Sequence, residues 1–238
     1  KLTSIALDPI EKKPLYHFYP KSKILSVGSY GCNLSCPYCQ NHDISMAGRR
    51  AIESTYVTCE ELIEKAVYYS KTMGNIGLAY TYNEPLIGYE FVRDCARLGQ
   101  EKGLKNVLIS NGYICEEPLD ELLPLIDAFN IDLKGFTEEY YSKLRGDLAT
   151  VKRTITIASK HSHVEVTTLI VPGENDSDEE MMALSSWLAD INPGIPLHIS
   201  RFFPRWKMDD KEATPVNTIY NLADIARKNL KYVYEGNC

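Results

Sequence analysis

The sequence predicts an α/β protein, a parallel sheet curled into a partial (β/α)6 TIM-like barrel. Short apolar runs rich in β-branched residues recur along the 238 residues and alternate with helical patterns. Parallel strands need crossover helices, so this alternation specifies a parallel sheet. No linker or low-complexity tract divides the chain, and residues 1–238 read as one domain of a size that single barrels reach.

Taken in order, residues 2–7 read as a short strand, followed by Asp8-Pro9 and a polar turn. The aromatic segment 15–20 completes an extension, residues 1–20, that packs on the barrel, with His17 a structural or surface histidine. Residues 24–27 form the first buried strand, and 43–56, with Gly48-Arg49-Arg50, an exposed loop. Thr58-Cys59-Glu60-Glu61 is a capping box that opens an amphipathic helix. Strands over 76–82, 106–110, 128–133, 164–171 and 197–202 alternate with helices over 85–102, 118–126, 137–144, 148–159 and 177–190. The last of these opens on a second capping box, Ser177 with Glu180, and a helix over 217–229 and a strand over 232–234 close the chain.

Hydrophobic residues make up 44% and charged residues 24%, an ordinary globular balance. A net charge of −6 argues against a broad nucleic-acid footprint. No apolar run approaches bilayer length, so no membrane partner is expected, and nothing at the start of the stretch reads as a signal peptide. The stretch opens at Lys1 without an initiator methionine, as expected of part of something longer. Three of the seven cysteines cluster, which fits a reducing compartment, and the expected location is cytoplasmic. Cys59, Cys95 and Cys115 read as buried small hydrophobes.

The clustered three are Cys32, Cys36 and Cys39, spaced C-x-x-x-C-x-x-C directly after the first buried strand. A loop of this length can point three thiolates at one centre, and soft thiolates select zinc, Cu(I) or an iron–sulfur cluster. A closed zinc site needs a fourth ligand, and His42, hard against Cys39, is an awkward one. A cubane cluster has four irons, so three cysteines leave one iron open to chemistry.

Polar residues stand where the other strands end, the face on which such barrels gather their chemistry. Asn83-Glu84-Pro85 ends the second strand, where Glu84 also suits a helix start, and Ser110-Asn111-Gly112 ends the third as a turn. Asp132 and Lys134 end the fourth, opposite charges on one face of an extended chain. Val171-Pro172-Gly173 follows the fifth. His198 and Arg201 of the sixth differ by three, so a regular strand turns only one of them to the lumen.

The cysteine spacing, with Tyr38 before the third cysteine, resembles the radical S-adenosylmethionine (SAM) superfamily, whose barrel type the fold would share. The segments 13–20, 31–41, 80–85, 130–136 and 197–202 together look like the AmmeMemoRadiSam-system radical SAM protein, close to the pyruvate formate-lyase activating enzymes. The resemblance implies a [4Fe–4S] cluster on Cys32, Cys36 and Cys39, with SAM chelating the open iron. It sets Tyr38 against the adenine, and Asn83 and Glu84 at the SAM ammonium without the family's usual glycines. It puts Ser110 and Asn111 at the ribose or carboxylate, Asp132 and Lys134 at the carboxylate and ribose, Val171 on the adenine wall and His198 near the 5′ end. Arg201 is left as a substrate clamp or a structural arginine on an aromatic ring, so His198 and Arg201 are the substrate-side candidates.

The expected reaction is reductive cleavage of SAM to methionine and a 5′-deoxyadenosyl radical that takes a hydrogen from a substrate. A low-potential flavodoxin or ferredoxin-type donor is implied as partner, with a protein substrate or the AmmeMemoRadiSam partner proteins beside it. A glycyl-radical activase and a non-catalytic metal-binding module are the alternatives.

Overall fold

The computed structural model describes residues 1–48 and 51–238, so Arg49 and Arg50 of the expected loop lie outside the described residues. Eight strands form one sheet in chain order. β1 (Ser4–Pro9) runs antiparallel to β2 (Lys23–Gly28). β3 (Asn75–Tyr80), β4 (Lys105–Ser110), β5 (Ala128–Asp132), β6 (His163–Ile170), β7 (Leu197–Arg201) and β8 (Val233–Gly236) then follow, each parallel to the one before. β1 and β8 do not pair with each other among the described residues, so the barrel stays open along one side.

Side chains alternate between the two faces of each strand. Leu25, Leu78, Leu108, Phe129, Val166 and Leu197 point outward into the main core. There they meet α2 (Cys59–Met73), α3 (Tyr89–Glu101), α4 (Glu116–Leu122), α6 (Leu148–Ala158), α7 (Asp178–Ile191) and α8 (Val216–Ala226). The lumen is filled differently at its two ends. At the N-terminal ends of the strands, Ile24, Ala79, Val107 and Ala128 close over Ile10, Leu15 and Phe18, so the N-terminal extension plugs the barrel floor. Polar groups fasten this plug, because Asn130 Nδ2 donates to Pro14 O at 2.8 Å and the Glu165 carboxylate accepts the Tyr16 and His17 amides.

Local chemistry accounts for the departures from the sequence pattern. The helix expected over 85–102 is a 3-10 turn (Pro85–Gly88) followed by α3, because Gly88 takes a non-helical conformation between them. The helix expected over 118–126 starts at Glu116 and becomes a 3-10 turn (Leu123–Leu125) at Pro124, which lacks the amide a helix needs. The expected loop after the cysteines contains a short helix, α1 (His42–Ser45), and Thr55 pairs with Leu2. The Thr58–Glu61 capping box forms in full. In the second, Ser177 caps the Glu180 amide, but the Glu180 carboxylate accepts from Phe136 N instead of turning back. α5 (Glu138–Lys143) follows that Phe136 turn, capped by Thr137. Two of the lone cysteines meet: Cys59 and Cys95 bring their sulfurs to 2.9 Å between α2 and α3, whereas Cys115 is exposed rather than buried. Among the described residues no helix is long and apolar enough to cross a membrane.

Candidate active site

The cysteine loop leaves β2 at Gly28 and is stitched down by three asparagines. Asn83 accepts the Ser29 amide at 2.8 Å and donates to Gly31 O at 3.0 Å, tying the loop's start to the end of β3. Asn33 Nδ2 donates to Tyr113 O and Asn41 Nδ2 to Tyr82 O, each at 2.7 Å. Ser35 N donates to Leu144 O, and buried Leu34 packs with Tyr140, Leu144 and Phe202. Gly31 takes φ +90°, a conformation open to glycine, where the chain turns into the motif.

The loop forms one wall of a cavity of about 370 Å³ at the C-terminal ends of the strands. Cys32, Cys36, Cys39 and Tyr38 line it from the loop. Asn83, Glu84, Ser110, Asn111, Asp132 and Lys134 line it from β3, β4 and β5. Ten of the thirteen residues singled out from sequence thus meet in one place. Thr81, Thr167, Leu169 and Ser200 also line it, as do Lys12 and Lys13 of the N-terminal extension. Period-two alternation along the strands would have found Thr167 and Leu169. The sequence carries no signal for the lysines, which arrive through the fold of the plug.

Glu84 is buried and bonded on both oxygens. Oε1 accepts Leu86 N and Ser110 Oγ at 2.9 Å each, and Oε2 accepts Asn111 N at 2.8 Å. It therefore caps the 3-10 turn and ties β3 to β4 while facing the cavity. Burial pushes its pKa up to about 7, against those three hydrogen bonds, which favour the carboxylate. Asp132 and Lys134 form an ion pair at 2.8 Å. Burial works against the Lys134 charge, but the Asp132 carboxylate beside it outweighs this and holds the ammonium protonated.

Three of the expected residues lie elsewhere. Val171 is fully buried and packs with Tyr38 and Phe202, and Leu169 reaches the cavity from the same strand end. His198 faces the lumen, but below the cavity: its Nε2 lies 2.6 Å from Glu165 Oε2 and its ring stacks near Tyr234. Arg201 donates from Nε to Thr214 O at 2.6 Å and sets its guanidinium 4.8 Å from the Phe203 ring centre. Tyr38 is buried edge-on against Phe202 with its centroid 6.4 Å away.

The donor set fits a cluster better than a single ion. Among the described residues, no three His, Cys, Asp or Glu side chains converge on one metal-ion position, so the three thiols share a cavity wall rather than a point. The Leu34 amide already donates to Cys32 Sγ at 3.3 Å, and Asn111 Nδ2 approaches the same sulfur at 3.7 Å, as suits a thiolate ligand. Burial pushes the Cys32 thiol up to about 12 and raises Cys36 as well, so both stay protonated until a cation displaces the proton.

A family model described as the radical SAM superfamily matches residues 26–185, more than half of the chain. An uncharacterized protein of Methanocaldococcus jannaschii is 42% identical over 240 residues, covering all of this chain and 70% of that protein. The pyruvate formate-lyase 1-activating enzyme of Escherichia coli K12 is 30% identical over 169 residues, 68% of this chain and 66% of the relative. Among solved structures, a domain of a pyruvate-formate lyase-activating enzyme from Bacteroides vulgatus matches with TM-score 0.59 at 16% identity, over 68% of this chain and 99% of that one. Streptococcus suis SuiB bound to S-adenosylmethionine matches with TM-score 0.68 at 12% identity, over 90% and 52%. At these identities the two structures show the shared fold alone. The matched segment carries the three cysteines and most of the cavity wall, and the chain belongs to the radical SAM superfamily, enzymes that cleave SAM with a [4Fe–4S] cluster.

Proposed function

We propose that the cavity beside Cys32, Cys36 and Cys39 binds SAM and directs its cleavage toward hydrogen abstraction from a substrate. The observation that carries this reading is the single cavity lined by three thiols, a buried carboxylate and the Asp132–Lys134 pair. When bound, the cluster supplies the electron that splits SAM into methionine and a 5′-deoxyadenosyl radical. The rest is the chain's own work. Lys134 offers an ammonium to the SAM carboxylate, and Asp132 holds that ammonium in place. Glu84, whose pKa burial has brought to about 7, meets the SAM ammonium as a group that a neighbouring cation would ionise. Ser110 and Asn111, fixed by Glu84, present polar groups to the ribose. Tyr38 and Leu169 supply apolar wall for the adenine, with Val171 behind them.

The subtype we favour is the AmmeMemoRadiSam-system enzyme, since the resembling segments run nearly the length of the chain, with residues 1–238 as a single radical SAM core. The electron donor is then a low-potential flavodoxin or ferredoxin-type protein in the cytoplasm. A glycyl-radical activase, acting on a glycine of a large protein, is the second reading, supported by the 30% identity to the Escherichia coli activating enzyme. Anaerobic reconstitution followed by assay for 5′-deoxyadenosine tests the proposal. A protein with about four irons that never yields 5′-deoxyadenosine from SAM and dithionite would refute it. A glycyl-radical signal on incubation with a glycyl-radical enzyme would select the second reading.

A further inference from the structure

Two buried tyrosine hydroxyls stand beside the cysteine loop without a partner. Tyr38 and Tyr140 are 3% and 2% exposed, and neither hydroxyl completes a hydrogen bond. Buried hydroxyls are seldom left so, and an orphan beside a binding site points to a partner that comes with the ligand. Both rings are fixed. Tyr38 is flanked by Cys36 and Cys39, the loop at Pro37 accepts the Lys207 amide, and Phe202 stands edge-on to the ring. Tyr140 is set by α5 and by Gly135, where any side chain would strike its ring. The two pack in one cluster with Leu34, Cys36, Val171 and Phe202.

The acceptor at hand is the Cys36 sulfur. Cys36 lies two residues before Tyr38 and is buried in the same cluster as the Tyr38 and Tyr140 rings, while no other group among the described residues completes a bond to either hydroxyl. A neutral thiol is a weak acceptor, whereas a thiolate bound to iron carries the negative charge that a hydroxyl seeks. The orphan donor therefore finds its partner when Cys36 becomes a cluster ligand.

We propose that the Tyr38 hydroxyl, oriented by Tyr140, donates a hydrogen bond to the Cys36 thiolate and thereby raises the reduction potential of the cluster. This rests on the radical SAM reading of the three cysteines. Reduction adds negative charge to the cluster and its sulfurs, so a donor aimed at a ligating sulfur favours the reduced state. Tyr38 and Tyr140 are in this sense positioning residues that set how strong a reductant the enzyme needs.

The test uses the whole chain, reconstituted anaerobically with iron and sulfide, as wild type, Tyr38→Phe, Tyr140→Phe and the double variant. Iron content is measured first, then the midpoint potential by dye-mediated titration followed by electron paramagnetic resonance without SAM. The expected result is about four irons in each, a midpoint shifted negative in Tyr38→Phe, a smaller negative shift in Tyr140→Phe, and little added in the double variant. A Tyr38→Phe protein with full iron and an unchanged midpoint overturns the proposal. If Tyr38→Phe fails to hold iron, Tyr140→Phe decides: a negative shift sustains the proposal and an unchanged midpoint ends it. Wild type that takes up no cluster would remove the radical SAM reading and this proposal together, a result distinct from unshifted variants.

Discussion

His198 Nε2 and Glu165 Oε2 lie 2.6 Å apart in the barrel lumen, and this contact is the centre of the latch that holds the N-terminal plug. Glu165 is fully buried, accepts His163 Nε2 at 3.0 Å, and takes the Tyr16 and His17 amides at 3.1 and 2.8 Å. One carboxylate thus joins β6, β7 and the segment that closes the barrel floor.

The latch predicts an acid-dependent stability. Burial alone would raise the Glu165 pKa, but the hydrogen bonds from His163, His198 and the two amides outweigh it and depress it to about 2, below the ordinary 4.5. A depressed carboxylate contributes stability that is fully present above about pH 4.5 and is lost as pH falls toward 2. Glu165→Gln places an amide N–H where a donor already points, and should cost about 3 kcal/mol near neutrality. Urea unfolding of wild type and variant should show this gap narrowing as the pH is lowered from about 5 to about 3. A gap that does not depend on pH would mean that the carboxylate charge plays no part in the latch.

Much of this was legible from sequence, and what was not has a physical reason. The buried strands announce themselves as β-branched runs, and Thr58 with Glu61 forms both bonds of its capping box because each partner lies within one turn. Glu180 escapes the same rule because a distant amide, Phe136 N, competes for it. Most of the residues that follow strand ends line the cavity, whereas Arg201 and His198 do not. A regular strand shows which face a residue takes, not how deep in the barrel it lies. The plug was illegible as such, since Lys13-Pro14-Leu15 has no periodicity and the segment is placed by distant partners: Asn130 at Pro14 O, Glu165 at the Tyr16 and His17 amides, and the floor cluster around Leu15. A charged residue on the inward face of β6 was its one trace.

Cluster assembly should depend on Cys32, Cys36 and Cys39 and not on the other cysteines. Cys32→Ala, Cys36→Ala and Cys39→Ala should each lose most iron and the brown colour after reconstitution, because each removes one of three ligands on a shared wall. Cys115→Ala and Cys238→Ala, both exposed, should retain wild-type iron. Iron analysis beside visible spectra checks this, and full iron in all three cavity variants would refute the ligand assignment.

SAM affinity should fall with Lys134. Its ammonium is paired with Asp132 at 2.8 Å and faces the cavity, so Lys134→Ala should weaken SAM binding by about 1.5–3 kcal/mol, the scale of a charged hydrogen bond. That is roughly ten- to a hundredfold in Kd. Iron content should not change, since no cysteine is touched. Calorimetry on reconstituted protein measures the difference, and equal affinity would leave Lys134 as a partner for Asp132 alone.

Arg201 separates a structural arginine from a substrate clamp. Its Nε holds Thr214 O at 2.6 Å, and Thr214 in turn donates to Ile170 O and accepts Phe202 N, so the side chain braces the segment after β7. The guanidinium rests over Phe203, and its Nη groups make no hydrogen bond to protein among the described residues. The engaged Nε and the ring contact predict that Arg201→Ala loses about 1–2 kcal/mol of stability. Cleavage of SAM with and without substrate should then stay in step, near wild type at about 25 °C and lost together only as the lowered melting temperature is approached. Arg201→Lys keeps a cation for the ring but not the Nε–H, so it should recover only part of the melting temperature. Measured on one preparation, an unchanged melting temperature with selective loss of substrate-dependent 5′-deoxyadenosine would reverse the assignment and make the free Nη groups the substrate contact.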